Sequence, residues 1–173
     1  GNGDQINNSN FKINHNLAEI KISYLHQGKY EFQTSYIFNE NQHNPYLLKY
    51  RGESWSMGFN YHLIESNKIP LNLSLGVGVV VDKKYKDVKY YDIEIYKEFK
   101  NMEYPVIPYY KHTQISKINK ASVHNVGVVI KLSVDDLSNL SKEDNDIIWF
   151  DFSLNNINTD NYFSIALGLT HSI

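Results

Sequence analysis

The sequence has no cysteine, only 4 prolines and 9 glycines in 173 residues, and no apolar run of the length a membrane helix needs. Without cysteine there is no disulfide framework, no thiolate metal ligand and no cysteine nucleophile. The longest apolar candidate, residues 71–81, is interrupted by Asn72, Ser74, Gly76 and Gly78, far short of the roughly 20 residues of a spanning helix. An excess of one charge is also missing. With 17 basic and 19 acidic residues the formal net charge is -2, which gives no global electrostatic basis for binding nucleic acid or anionic lipid headgroups. At this length a single domain is expected.

What is abundant is aromatic: 14 Tyr, 8 Phe and 2 Trp, in a chain whose mean hydropathy is only -0.46. The two facts are compatible if apolar residues occupy every second position, and they do. In residues 54–63, Trp55, Met57, Phe59, Tyr61 and Leu63 share one parity against Ser56, Gly58, Asn60 and His62. In residues 71–81 the odd positions are Leu71, Leu73, Leu75, Val77, Val79 and Val81. Val126, Val128, Ile130, Leu132 and Val134 repeat the division, as do Ile148, Phe150, Phe152 and Leu154, and then Phe163, Ile165, Leu167 and Leu169. A period of two is the strand period, so these segments predict β-strands. Ile20, Ile22 and Tyr24, followed by His26-Gln27-Gly28 and then Tyr30, Phe32, Tyr36 and Phe38, predict a hairpin turning at Gly28. Connections rich in Asn, Asp, Ser or Lys fall at 39–53, 65–68, 119–120, 135–146 and 155–161.

These strands predict an all-β fold, a closed antiparallel up-and-down barrel occupying residues 17–173. The Asn-rich residues 1–16 are expected to be a flexible segment or a short first strand. Residues 82–117 read as a hairpin or loop excursion that joins the wall or projects from it, because Pro105 and Pro108 cannot donate to a ladder. About eight strands are expected, with ten as the alternative, both satisfying the even-number habit of single-chain bacterial barrels.

Alternation fits two barrels of opposite polarity. A soluble, lipocalin-like barrel turns its apolar face inward to a small ligand, with Trp55, Phe59, Leu73, Leu75, Phe150 and Phe152 as the lining; a transmembrane barrel turns it outward to lipid. The opposing face is small and weakly polar, including Ser56, Gly58, Ser74, Gly76, Gly78, Gly127, Ser164, Ala166 and Gly168. A narrow lumen filled by side chains needs such residues, whereas a water-facing surface is normally dense in charge. The transmembrane type is therefore expected. Glu31, Lys131 and Asp151 are the candidates for an internal charge network, and would have to pair. Tyr24, Tyr36, Trp55, Tyr61 and Phe163 fall near strand ends, as an interfacial girdle requires.

The last segment, Tyr162-Phe-Ser-Ile-Ala-Leu-Gly-Leu-Thr-His-Ser-Ile173, has alternating apolar residues, an internal glycine and a hydrophobic terminus. With Leu75-Gly-Val-Gly-Val79 and Val126-Gly-Val-Val-Ile130, it resembles small outer-membrane β-barrels of the OmpA-like and OmpX-like kind and related surface antigens. The departures are His171, where an aromatic or aliphatic residue is usual, and Ile173 in place of the commonest Phe. The resemblance implies a Gram-negative outer membrane with its lipid as partner, a periplasmic C-terminus, and residues 39–53, 82–117 and 155–161 outside the cell. It also implies loops that contact an extracellular protein or glycan, or that serve envelope integrity.

No catalytic motif emerges, and a non-enzymatic protein without cofactor is expected. Some barrels of this size are lipid hydrolases carrying His-x-Ser-Asn on a late strand. Here Phe152-Ser153-Leu154-Asn155 lacks the histidine, and a serine without a base is not activated. His112 and Ser116 share a strand face but stand too far apart for direct proton transfer. The seven histidines show no zinc spacing, and residues 142–146 lack the glycine and terminal glutamate of a calcium loop. Gly76-Val-Gly78 is not followed by a third glycine or a helix, so no dinucleotide site is implied. His62 reads as a hydrogen-bonded lumen residue. The candidate recognition surface is the tyrosine group Tyr85, Tyr90, Tyr91, Tyr96, Tyr104, Tyr109 and Tyr110, since tyrosine gives contact area at low entropic cost. The alternative is that these rings pack within the hairpin or mark a membrane interface.

Overall fold

The computed structural model describes residues 15–39, 53–64, 68, 70–81, 88–115, 122–133, 146–157 and 160–173. Among them are nine strands: β1 His15–His26, β2 Tyr30–Asn39, β3 Glu53–Leu63, β4 Asn72–Val81, β5 Val88–Tyr96, β6 Val106–Ile115, β7 Ser122–Ser133, β8 Asp146–Ile157 and β9 Asp160–Ser172. They form one closed barrel in sequence order. Eight neighbouring pairs are antiparallel; the closing pair, β1 with β9, is parallel.

The expectation of eight or ten strands in a wholly antiparallel barrel is thus corrected to nine with one parallel seam. The reason is geometric. Each hairpin reverses the chain, so after an odd number of strands the last runs in the same direction as the first and can close only in parallel. The β5–β6 hairpin belongs to the wall; residues 1–14, where a flexible segment or a short first strand is expected, lie outside the described residues.

Pro108 fits inside β6 because of where its missing donor would point. Its carbonyl accepts from the Lys97 backbone N–H at 3.2 Å, one residue beyond the end of β5, so the absent N–H would face the frayed end of that ladder. At the β1–β2 turn, Gln27 (φ 54°) and Gly28 (φ 65°) both lie in the left-handed region, the requirement of a type I′ turn, and Lys29 N–H closes it onto the His26 carbonyl at 3.1 Å.

The ladder climbs as it goes round. From His26 the rungs pass through Tyr30, Tyr61, Leu75, Ile93, His112, His124 and Asn156 to Asn161, next to the Tyr162 that pairs with His15. A circuit begun at one end of β1 returns at the other. That stagger tilts the strands, by about 40° in barrels of this kind.

Side-chain direction follows the alternation. Trp55, Met57, Val77, Tyr91, Val126 and Phe32 stand on the outside, each more than half exposed. Ile20, Ile22, Leu75, Ile93, Phe152, Leu154, Ile165 and Leu167 continue this belt around the wall. The six residues named as a lining for an internal apolar ligand are on this outer parity; Trp55, Leu75 and Phe152 are exposed there at 57, 43 and 40 %. That lining is therefore corrected. Tyr30 and Tyr61 meet at 5.5 Å near the β1–β2 turn, and Tyr36 meets Trp55 edge-on at 4.8 Å toward the other end, so aromatic pairs flank the aliphatic belt on this side.

Candidate functional site

The interior has two parts. At the end where the strands begin β1, Ile37, Val80, Val88, Ile115 and Val123 point inward, all at most 2 % exposed. Val80 and Val88 are directly paired, and this apolar cluster closes the lumen. Above it the inner face is polar. A cavity of about 340 Å³ reaches from mid-barrel to the end bearing Gly28 and Ser172, and a second of about 40 Å³ lies deeper, near Glu19, Gln33, Tyr90 and Asp92. The lumen is a blind vestibule opening on the side of the C-terminus.

Glycines give this lumen its width, each standing opposite a large partner. A Cβ on Gly78 would meet the Tyr90 ring, one on Gly127 the Tyr109 ring, one on Gly168 the Trp149 indole, and one on Gly76 the Asp92 carboxylate. All four are directly opposed pairs in the ladder. The large side chain lies across its neighbour's backbone, which is how a narrow barrel packs rings inside without voids.

The sequence-predicted charges all line the vestibule, but they do not meet one another. Lys131 Nζ binds Glu98 Oε1 at 3.1 Å, a residue that the sequence reading had not singled out. Asp151 accepts the Tyr109 hydroxyl at 2.8 Å on both oxygens. Glu31 accepts Asn60 Nδ2 at 2.8 Å and lies 3.6 Å from His62 Nε2, while the other ring nitrogen of His62 is 3.0 Å from the Tyr96 hydroxyl. Lys21 sits 4.0 Å from Glu19 and 5.7 Å from the centre of the Trp149 ring, whose N–H donates to Thr170 Oγ1 at 3.0 Å. Each of these four charged groups thus has a neighbour of complementary character, as burial demands.

No family model, curated protein or solved structure matches this chain. Its chemistry therefore has to be read from the residues alone.

The tyrosine group divides. Tyr90, Tyr96 and Tyr109 face the lumen; Tyr91 and Tyr110 face outward from the wall; Tyr104 lies exposed in the β5–β6 connection; Tyr85 falls outside the described residues. They do not make one surface. Tyr104 is also at the vestibule end, opposite the strand ends joined by residues 82–87, so residues 82–117 do not lie on one side of the barrel.

Ser153 is buried and its hydroxyl is 2.5 Å from that of Ser164, whose Oγ also accepts Asn155 Nδ2 at 2.8 Å. His112 stands on the outer face beside His124, ring centres 4.7 Å apart, with the Tyr110 hydroxyl 2.7 Å from His124 Nδ1. Ser116 lies outside the described residues. Among the described residues no three His, Asp or Glu side chains converge as metal ligands would.

Proposed function

We propose that the chain is a non-enzymatic barrel of a Gram-negative outer membrane, related in kind to the OmpA-like and OmpX-like barrels and surface antigens, that presents loops at one rim. The observation that carries this reading is the polarity of the wall. Exposed apolar side chains run round the outside, while ionised residues and serines are turned inside. A wall facing water would expose an apolar patch far above the few hundred Å² usual for a monomer. In lipid the same belt needs no partner, and every backbone group is satisfied by closure. Outer-membrane lipid is then the first partner. Adhesion to an extracellular protein or glycan, or support of the envelope, falls to the connections at the rim away from Ile173.

The purified chain is expected to need detergent to remain monodisperse, and to migrate faster on a denaturing gel before boiling than after. A protein that stays monomeric without detergent and shows no shift on boiling overturns the reading. It would make the chain a periplasmic or secreted soluble barrel instead.

The blind end makes a second expectation. Reconstituted in a planar bilayer, the barrel should pass no steady current, since five apolar side chains close one end. Replacing Val88 and Ile115 together by serine should open a small cation-preferring conductance. Unchanged silence in a variant that retains its heat-dependent mobility would place the seal elsewhere.

A further inference from the structure

Twelve residues apart in the chain, His112 and His124 are opposed directly across the β6–β7 ladder, near the sealed rim. Both stand on the outside of the wall, since their parity is that of the exposed Tyr110 and Val126. Opposed side chains on one face of a sheet lie within contact of each other. The same rung continues through Asn156 and Asn161, whose side-chain amides are bonded at 2.9 Å, and two residues nearer the rim Ser122 donates to Gln114 at 2.9 Å. The apolar belt gives way here to a polar sector that contains the two imidazoles.

Those imidazoles are matched less well than the polar pairs around them. His124 Nδ1 is 2.7 Å from the Tyr110 hydroxyl and 3.4 Å from His112 Nδ1. A ring nitrogen offers one hydrogen or one in-plane lone pair, so it serves one neighbour properly, and the shorter distance assigns it to Tyr110. The His112 nitrogen is left beyond the ordinary reach of an N–H donor, about 2.7–3.2 Å. Charging both rings would set two cations side by side. The spacing does suit a metal. Zinc holds imidazole nitrogen at about 2.0–2.1 Å, so two nitrogens at the tetrahedral angle lie about 3.3–3.4 Å apart.

We propose that His112 and His124 form a two-imidazole seat for a divalent transition-metal ion of borderline softness, zinc in the first instance, each binding it through Nδ1. The Tyr110 hydroxyl, displaced from the His124 lone pair, stays beside the ion as a partner for metal-bound water, and the remaining positions open to solvent. Imidazole selects zinc, copper and nickel over magnesium and calcium, which prefer oxygen. Structural zinc sites close with four protein ligands; with two, the ion is exchangeable, so the seat captures metal at the rim rather than holding the fold together. It belongs to the β6–β7 ladder alone and is the same whether the belt meets lipid or water.

Isothermal titration of the chelator-treated barrel with zinc chloride tests the seat, with magnesium chloride as the comparison. Saturable binding of one zinc per barrel, resistant to about a hundredfold excess of magnesium, is expected. His112→Ala and His124→Ala should each weaken it about tenfold or more with the β-sheet circular dichroism unchanged, whereas His171→Ala, at the opposite rim, should leave it unaltered. With copper(II) chloride as the probe, electron paramagnetic resonance should show two nitrogens on the ion in the wild-type barrel and one in either β6–β7 variant. If a variant does not fold, the wild-type copper spectrum decides. No saturable zinc binding, undiminished affinity in either folded β6–β7 variant, an equal loss in His171→Ala, displacement by magnesium, or a wild-type copper spectrum without two nitrogens would overturn the proposal.

Discussion

Replacing Val77 by arginine is expected to cost about 2–4 kcal/mol of folding stability in lipid vesicles, the penalty for a cation at the bilayer midplane on a barrel exterior. Val77 lies midway along β4, 57 % exposed, opposite Phe59 on one neighbour and Tyr91 on the other. The same substitution at Leu63, at the end of β3 nearest the vestibule mouth, should cost about 0–1 kcal/mol, because interfacial water and headgroups can solvate the guanidinium there. The pair of values, measured by urea titration of vesicle-inserted protein, is more telling than either alone. A wall surrounded by water would make both changes nearly neutral, within about 0.5 kcal/mol. A steep difference between the two positions requires a medium whose polarity varies with depth.

Gly168→Val should be the most damaging substitution in the lumen. The added Cβ would overlap the Trp149 indole, which lies over the glycine opposite it in the β8–β9 ladder. Trp149 cannot move aside cheaply, since its N–H is bonded to Thr170 and Lys21 sits over its ring. Overpacking at about 1–3 kcal/mol, a lost hydrogen bond at about 1 and a weakened cation–π contact at about 1 together give roughly 3–5 kcal/mol. The change is readable by denaturant unfolding in a Trp55→Phe background, where Trp149 becomes the only tryptophan. A double mutant with Trp149→Ala should be no less stable than Trp149→Ala alone, because the clash disappears with the ring. A cost below about 1 kcal/mol for Gly168→Val would show that the ring has another seat.

Much of the wall was legible because strand parity is a local property. The alternation at residues 54–63 and 71–81 marks strands and separates outward Met57 and Val77 from inward Ser56 and Ser74 without any tertiary information. Parity fails where aromatic residues occur at both phases. Tyr90 with Tyr91, and Tyr109 with Tyr110, each put one ring in the lumen and one on the wall. Treated as one tyrosine cluster, they concealed the large members of the glycine–ring pairs. The strand number was missed through an appeal to even totals, when β5 and β6 carry the pattern themselves apart from Pro108.

The interior partners were not legible at all, for a different reason. Which charges meet inside depends on how far the ladder climbs around the circuit, a property of every register taken together. Lys131 therefore finds Glu98, from the β5–β6 connection, while Glu31 and Asp151 bind Asn60 and Tyr109. The crowding at Gly76 was hidden likewise: only the register brings Asn60 and Asp92 to either side of it, where a Cβ would strike both side chains.

The parallel seam between β1 and β9 has a consequence for anything attached to this chain. In a barrel with an even number of hairpin-linked strands both chain ends leave on one side; here His15 enters at the sealed rim and Ile173 leaves at the open one. A tag ahead of β1 and a tag after β9 would therefore stand at opposite rims, and under the membrane reading proposed above differential protease access to the two would read the protein's orientation directly. Joining the ends to make a circular permutant would demand a linker running the full height of the wall, through the lumen or along the belt, so this barrel resists the rearrangement that barrels with an even number of hairpin-linked strands accept with a short loop.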